Sequence, residues 1–235
     1  MITLVYPVGR GRGQMLRWSL RSVHAAAAGA EVRIVICGAL PDYINRRAPG
    51  LIVVAVPQGR NVFENVWGAW ERAADTVDRD GPWWWMNDDF FMTGALPDAL
   101  APSHLGPLKG WIQAIGGQGV SLWVRRAQTA LDALMAAGHD PMCWETHRPL
   151  YVDPGNVYGA RHFLAEAGIA PRDVAQRTVI ATLAGRTGPA LPDPKIGPRE
   201  GPMLSPLVST SPTSWKGPLG RQIRAAFPHR SPWER

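Results

Sequence analysis

The 235-residue sequence predicts an α/β protein: a mostly parallel sheet flanked by helices, carrying a proline-rich C-terminal extension. Three observations predict it. Short apolar runs of strand length alternate with stretches of helical period through the first 90 residues. Glycine or proline closes each run. The runs are almost continuously apolar, as in strands covered on both faces.

Taken in order, Ile2-Thr3-Leu4-Val5-Tyr6 reads as a buried strand, closed by Pro7 and by Gly9, Gly11 and Gly13. Residues 14–28 read as a helix, and residues 31–37 as a second strand ended by Gly38. Residues 51–56 read as a third strand, ended by Pro57 and Gly59. Phe63, Val66, Trp67, Trp70, Ala73, Ala74 and Val77 form an i, i+3, i+4, i+7 stripe, which predicts a helix packed by that face. Trp83-Trp84-Trp85-Met86 reads as a fourth strand between Gly81-Pro82 and Asn87-Asp88-Asp89. The second half is less regular. Residues 121–137 and 155–167 read as helices stopped by Gly138 and Gly168, and residues 172–184 as a helix or a helix running into a strand. Six of the 22 prolines fall between Gly185 and Pro206, a linker or an ordered wrap. A strand at 207–209 and a short helix at 219–227 close the chain. The division expected is one domain over residues 1–184, with a basic segment over residues 185–235 packed on it.

Composition excludes several classes. Hydrophobic residues make up 46% of the chain, too many for a wholly disordered protein. Cys37 and Cys143 are too few for a disulfide framework or a four-thiolate zinc site, so a reducing cytoplasm is the expected setting. No basic leader precedes Ile2, and the apolar runs fall short of the ~18 residues of a membrane span. Of the net charge of +6, residues 195–235 carry +5, from seven Lys or Arg against Glu200 and Glu234. Such a tail either gathers phosphates or serves as a solvated basic end.

In parallel sheets, ligands collect at the carboxyl ends of the strands. That rule singles out residues 8–13, Gly38, residues 58–60 and residues 87–89. Asp88 and Asp89 leave a very apolar strand together, where carboxylates are costly unless compensated. They read either as ligands of a divalent cation that also holds a diphosphate, or as a solvated Asn-Asp turn. The Gly9-Arg10-Gly11-Arg12-Gly13 loop reads as a phosphate cradle at a helix start or as a plain turn; it is not a Walker loop. Arg17 and Arg21 mark either a solvated helix face or a pair aimed at a diphosphate. His147, two residues after Glu145, is the best acid–base candidate among six histidines, or else a surface residue. Of eleven tryptophans, Trp67, Trp70 and Trp83 to Trp85 read as core; Trp111, Trp123, Trp144, Trp215 and Trp233 are the better ligand candidates.

Four separated segments resemble the Stealth sugar-phosphate transferases and related short GT-A-like glycosyltransferases of bacteria and phages. They are Leu16-Arg17-Trp18-Ser19-Leu20-Arg21-Ser22-Val23 with the strand after it; Asn87-Asp88-Asp89-Phe90-Phe91; Thr146-His147-Arg148-Pro149-Leu150 with Arg172-Asp173-Val174-Ala175-Gln176; and Phe227-Pro228-His229-Arg230-Ser231-Pro232-Trp233-Glu234. The resemblance implies a nucleotide-diphospho-sugar transferase fold of the GT-A kind, a divalent metal (Mn²⁺ or Mg²⁺) and a nucleotide-sugar donor. It implies that Asp88 and Asp89 hold the metal, that Asn87 contacts the donor and that His147 is catalytic, with Arg172 and Asp173 as further catalytic candidates. For such a donor the expected contacts also include Tyr6, Arg10, Arg17, Lys216 and Arg221. Glycosyl transfer is the leading reading, with sugar-1-phosphate transfer to a polysaccharide and a non-catalytic nucleic-acid-binding module as alternatives. The basic tail makes a polyanionic acceptor the expectation, phage-type hydroxymethylated DNA in its sharpest form.

Overall fold

Ile2–Val8 is β1, the middle strand of a five-stranded sheet in the computed structural model, which describes residues 1–9, 13–77, 81–116, 121–197, 203 and 205–235. After it come α1 (Gln14–Ala27), β2 (Val32–Gly38), β3 (Leu51–Val54), α2 (Val62–Thr76) and β4 (Trp83–Trp85). Next are β5 (Phe90–Met92), α3 (Leu96–Ala99), α4 (Leu108–Gly116), α5 (Leu122–Ala136), β6 (Leu150–Val152) and α6 (Pro154–Glu166). A 3₁₀ turn at Pro171–Asp173 leads to α7 (Gln176–Leu183), β7 (Lys195–Ile196), β8 (Leu207–Thr210), α8 (Pro212–Lys216) and α9 (Pro218–Ala226). The main sheet has the order β3-β2-β1-β4-β6; its first four strands are parallel and β6 runs antiparallel to β4. This is the expected α/β architecture.

Strand alternation explains why helices cover both faces. Leu4, Tyr6, Ile34, Ile36 and Met86 point to one side, where Leu16, Leu20 and Val23 of α1 meet them. Val5, Val35, Trp83 and Trp85 point to the other, against Trp67, Trp70 and Ala73 of α2 and the faces of α5, α6 and α7. Trp70 stacks on Trp85 with ring centroids 3.6 Å apart, so the tryptophan-rich stripe of α2 is core as expected. Asn61 caps α2 by accepting hydrogen bonds from the Phe63 and Glu64 amides at 2.9 and 3.4 Å.

The elements that escaped the sequence reading are short or paired at long range. β5, β6 and β7 have two or three residues each, below the length at which a period can be recognised. α3 and α4 are further helices without an expected counterpart, and the 172–184 segment divides into a 3₁₀ turn and a helix without a strand. Residues 185–206 contain β7, and a second sheet of order β5-β8-β7 brings the C-terminal region against the strand that follows the aspartates. Phe91 and Trp215 stack across that junction at 5.6 Å. No helix among the described residues is long and apolar enough to cross a membrane.

Candidate active site

The site begins where β1 and β4 part. Met86 donates its amide to the Val5 carbonyl at 2.8 Å, and alternation places Pro7 next on that edge of β1. Proline has no N–H to continue the ladder, so the strands separate there. β2 and β3 lie on one side of β1 and β4 on the other, so the chain direction of winding reverses at this gap. On the other edge, Gly38 has φ +122°, and a Cβ there would stand 2.3 Å from the Val8 carbonyl oxygen; only glycine closes β2 this tightly. Above the gap lies a cavity of about 930 Å³. Val8 and Gly9, Gln58 to Arg60, and Asn87 to Asp89 line it, so residues from three of the four segments that the sheet-edge rule singled out meet there, and Gly38 adjoins it next to Cys37, which does line it. Arg10, Gly11 and Arg12 lie outside the described residues.

One end of the cavity is acidic. Asp89 accepts a hydrogen bond from Ser209 Oγ of β8 at 2.8 Å, and its carbonyl accepts from the Thr210 amide. Burial raises its carboxyl pKa, opposed by that hydrogen bond and by His147 and Lys195 nearby. Facing it, His147 Nδ1 lies 2.8 Å from Asp193 Oδ2, and the His147 amide donates to Asp193 Oδ1 at 3.2 Å. Lys195 Nζ lies 2.9 Å from His147 Nε2. Lysine can only donate here, so Nε2 accepts and the imidazole proton sits on Nδ1, directed at Asp193. Burial raises the Asp193 pKa, but the His147 and Lys195 contacts outweigh it and hold the carboxyl below its ordinary value.

Cations and aromatics line the cavity as well. Arg126 of α5 is 2% exposed, and its guanidinium lies 3.1 Å above the Phe63 ring centroid. Burial lowers its pKa to about 10, opposed by Glu145 and Asp173, so it stays charged at neutral pH. Arg177, also in the lining, donates through Nε to the Trp144 carbonyl at 3.1 Å and through Nη2 to the Arg148 carbonyl. Glu145 accepts from the Thr178 amide at 3.0 Å, and burial raises its pKa against the pull of Arg177. Burial pushes the thiols of Cys37 and Cys143 up to about 12, which removes either as a thiolate nucleophile.

The structure brings together Asn87, Asp88, Asp89 and His147, and leaves the other catalytic and donor-binding candidates among the described residues outside the lining. Tyr6 is fully buried, its hydroxyl bonded to Ser19 at 3.1 Å, so it is a core residue. Arg17 lies 3.4 Å from Glu234 and stacks on Tyr43. Arg172 pairs with Glu64 at 2.6 Å on the outer surface, and Asp173 is exposed beside it; neither lines the cavity. Lys216 and Arg221 are exposed on α8 and α9, away from the lining. Trp123 lines the cavity, half-exposed, but Trp144, Trp215 and Trp233 are buried. Asp193, Lys195, Ser209, Arg126 and Arg177 were not singled out in the sequence. The only local hint was Asp193-Pro194-Lys195, two charges set in an otherwise apolar proline-rich run.

No protein-family model matches the chain, and no curated protein does. Solved structures do. One is the galactosyltransferase LgtC in complex with donor and acceptor sugar analogues: TM-score 0.46, 13% identity, covering 77% of this chain and 70% of that one. An active-site variant of LgtC aligns with the same TM-score and coverage at 14% identity. The apo-form glycosyltransferase GlyE of Streptococcus pneumoniae aligns with TM-score 0.32 and 16% identity over 57% of this chain and 38% of its own.

Asp88 and Asp89 suit a hard divalent cation. Mg²⁺-type sites use one or two carboxylates and complete their shell with substrate phosphates and water. Asp89 is the buried carboxylate whose charge the protein compensates only in part. Among the described residues, no cluster of three or more His, Cys, Asp or Glu forms a closed metal cage. Two carboxylates alone match a cation that takes its remaining ligands from a bound phosphate and water.

Proposed function

We propose that this protein is a GT-A-type glycosyltransferase that moves a sugar from a nucleotide-diphospho-sugar to an acceptor hydroxyl. One observation carries the reading: Asp88 and Asp89, at the gap where the winding reverses, share one cavity with His147 and Lys195, and Asp193 holds His147 from behind through Nδ1. A divalent cation held by Asp88 and Asp89 supplies charge neutralisation for the departing diphosphate.

The side chains account for the rest. Lys195 caps His147 Nε2 in the ligand-free arrangement. A diphosphate oxygen is a stronger partner for an ammonium than a neutral imidazole, so donor binding draws Lys195 away and frees Nε2. Nε2 then takes the proton of the acceptor hydroxyl as its oxygen bonds to the sugar carbon and the bond to the diphosphate breaks. Asp193 stays ionised and stabilises the imidazolium that forms. His147→Ala is expected to lower kcat by roughly 10²–10⁴-fold with an unchanged melting temperature. Asp193→Asn should lower kcat as well, because the amide no longer holds the Nδ1–H tautomer. Full turnover in the His147 variant would assign the residue a structural part only.

Calorimetry with UDP-, GDP- and dTDP-sugars, with and without Mn²⁺, tests the function itself. Cation-dependent binding of at least one is the expected result; a folded protein that binds none would remove the proposal. The released nucleotide separates the two transfer chemistries, a diphosphate for glycosyl transfer and a monophosphate for the Stealth-type alternative. For the acceptor we keep the polyanion reading, favoured by exposed Lys216 and Arg221 on adjacent helices. Labelled transfer to hydroxymethylated DNA, unmodified DNA and a polysaccharide, at low and high salt, decides it. Transfer to polysaccharide alone, indifferent to salt, excludes DNA.

A further inference from the structure

We propose that Glu145 reads the transferred sugar: its carboxylate, in the cavity lining, accepts a hydrogen bond from a hydroxyl of the hexose that the donor carries. The inference rests on the glycosyl-transfer reading and gives that site a residue that determines which sugar it takes.

Glu145 lines the cavity, is only partly buried, and has no part in the proton transfer above. Its Oε1 accepts from the Thr178 amide at 3.0 Å. That bond satisfies a first-turn amide of α7, whose N-cap residue Ala175 has no side-chain oxygen to offer. A carboxylate has room for about four hydrogen bonds, so one amide does not exhaust it. Arg177 and Arg126 pull on its charge, yet no Lys or Arg among the described residues forms an ion pair with it. The backbone beside it is fixed before any ligand arrives. The Trp144 amide donates to Thr178 Oγ1 at 3.1 Å, and the Trp144 carbonyl accepts from Arg177 Nε at 3.1 Å.

An ionised carboxylate accepts and cannot donate, so its partner brings an O–H, an N–H or a cation. Glu145 is not a third ligand for the cation of Asp88 and Asp89, because no group of three or more His, Cys, Asp or Glu among the described residues could hold one. Sheet order decides between the other two. β6 runs antiparallel to β4 with Leu150 opposite Trp85, so the segment entering β6 stands at the carboxyl edge of the parallel strands. Along that edge the lining follows the strand order. Gln58 to Arg60 follow β3, Cys37 and Val8 end β2 and β1, Asp88 and Asp89 follow β4, and Glu145 and His147 precede β6. A diphosphate pinned by Asp88 and Asp89 thus has the β3–β2–β1 ends on one side and the β6 entry on the other. His147 meets the acceptor hydroxyl at the sugar carbon, which puts the sugar toward β6. The nucleoside, with its N–H groups, then lies toward β1 to β3. Glu145, two residues from His147, is left with the hydroxyls of the sugar.

The test is calorimetry with Mn²⁺ on the UDP-, GDP- or dTDP-hexose that binds, its monodeoxy and monofluoro analogues at each sugar hydroxyl, and the matching nucleoside diphosphate. One position should lose roughly 10–100-fold in affinity, equally with hydrogen and with fluorine, since neither donates to a carboxylate. In Glu145→Ala that loss should fall to about one. Losses at the other positions and affinity for the nucleoside diphosphate should stay as in wild type. A residue that only caps α7 behaves otherwise: Glu145→Ala then lowers the melting temperature and leaves every loss in place, which overturns the proposal. Glu145→Gln keeps an oxygen for the Thr178 amide and replaces the alanine variant if that one does not fold; the loss should shrink to a few-fold, and an unchanged loss overturns the proposal. Wild-type protein decides alone if neither folds: equal hydrogen and fluorine losses at one position support the contact, and their absence at every position overturns it. A protein that binds no sugar nucleotide removes the transfer reading and this contact with it, whereas binding without the loss removes the contact only.

Discussion

Replacement of Asp89 by Asn is expected to lower kcat/KM by roughly 10²–10³-fold while leaving the melting temperature unchanged or raised. The pairing of those two results is the point. Asn keeps the shape of the side chain and an oxygen for the Ser209 hydroxyl, so the contact between the β4–β5 turn and β8 survives. It removes the charge, and with it the attraction for a divalent cation and for the lysine and histidine that face it. In the ligand-free protein that charge is a burden, because burial disfavours the carboxylate more than its neighbours favour it. A residue retained for stability behaves in the opposite way, since its loss lowers the melting temperature. Asp88→Asn should show a similar fall in activity, because in the proposed function both aspartates hold the same cation. Kinetics at saturating Mn²⁺ with thermal melts of the same preparations provide the check. Wild-type turnover in both variants would take the aspartates out of the reaction.

Loss of Glu234 is the largest expected effect on the fold. Its carboxylate is buried, gripped by Arg21 at 2.8 and 2.9 Å, approached by Arg17 at 3.4 Å, and bonded to the Ser231 amide at 2.9 Å. Glu234→Ala leaves the buried Arg21 cation without its carboxylate partner, with only the Phe227 and Pro228 carbonyls still accepting from it, a change that costs about 3–5 kcal/mol. For a chain of this size that is roughly 6–20 °C in melting temperature. The pH dependence has a defined sign. Burial raises the Glu234 pKa, but Arg21 and Ser231 outweigh it, and the folded value lies below the ordinary 4.5. The stabilisation is therefore fully present above pH 4.5 and is lost as pH falls through the depressed folded value. Melts of wild type and variant at pH 7 should differ by the full amount and converge in acid. A constant gap down to the acid limit would show that the pair is not its source.

Both predictions concern residues that the sequence marked unequally. Asp88 and Asp89 were legible because their surroundings are local: an apolar strand runs straight into two carboxylates, and parallel strands place such ends at one edge. Arg17 and Arg21 were legible as helix-surface cations but not in their use. Their partner Glu234 lies more than 210 residues away in sequence, and it turns them from a diphosphate toward the C-terminal segment. Tyr6 shows the same limit from the other side. Its strand was recognised, yet the parity that sends Tyr6 into the α1 face instead of the cavity depends on which neighbours the strand pairs with.

By itself the sequence determined the alternation of strands and helices, the two-sided burial of the sheet, the core stripe of α2 and the sheet edge at which the cavity opens. These follow from spacing within a few residues, where the 2-residue and 3.6-residue periods dictate which side chains share a face. Only the tertiary structure decided which charges meet. Asp193 and Lys195 reach His147 from 46 and 48 positions away. Ser209 reaches Asp89 across 120, because two- to four-residue strands tie the C-terminal region to β5. Arg126 is buried against the ring of Phe63 from 63 positions away. Burial and partnership are sums over contacts between distant segments, and chain closure places those segments in ways that no local period records.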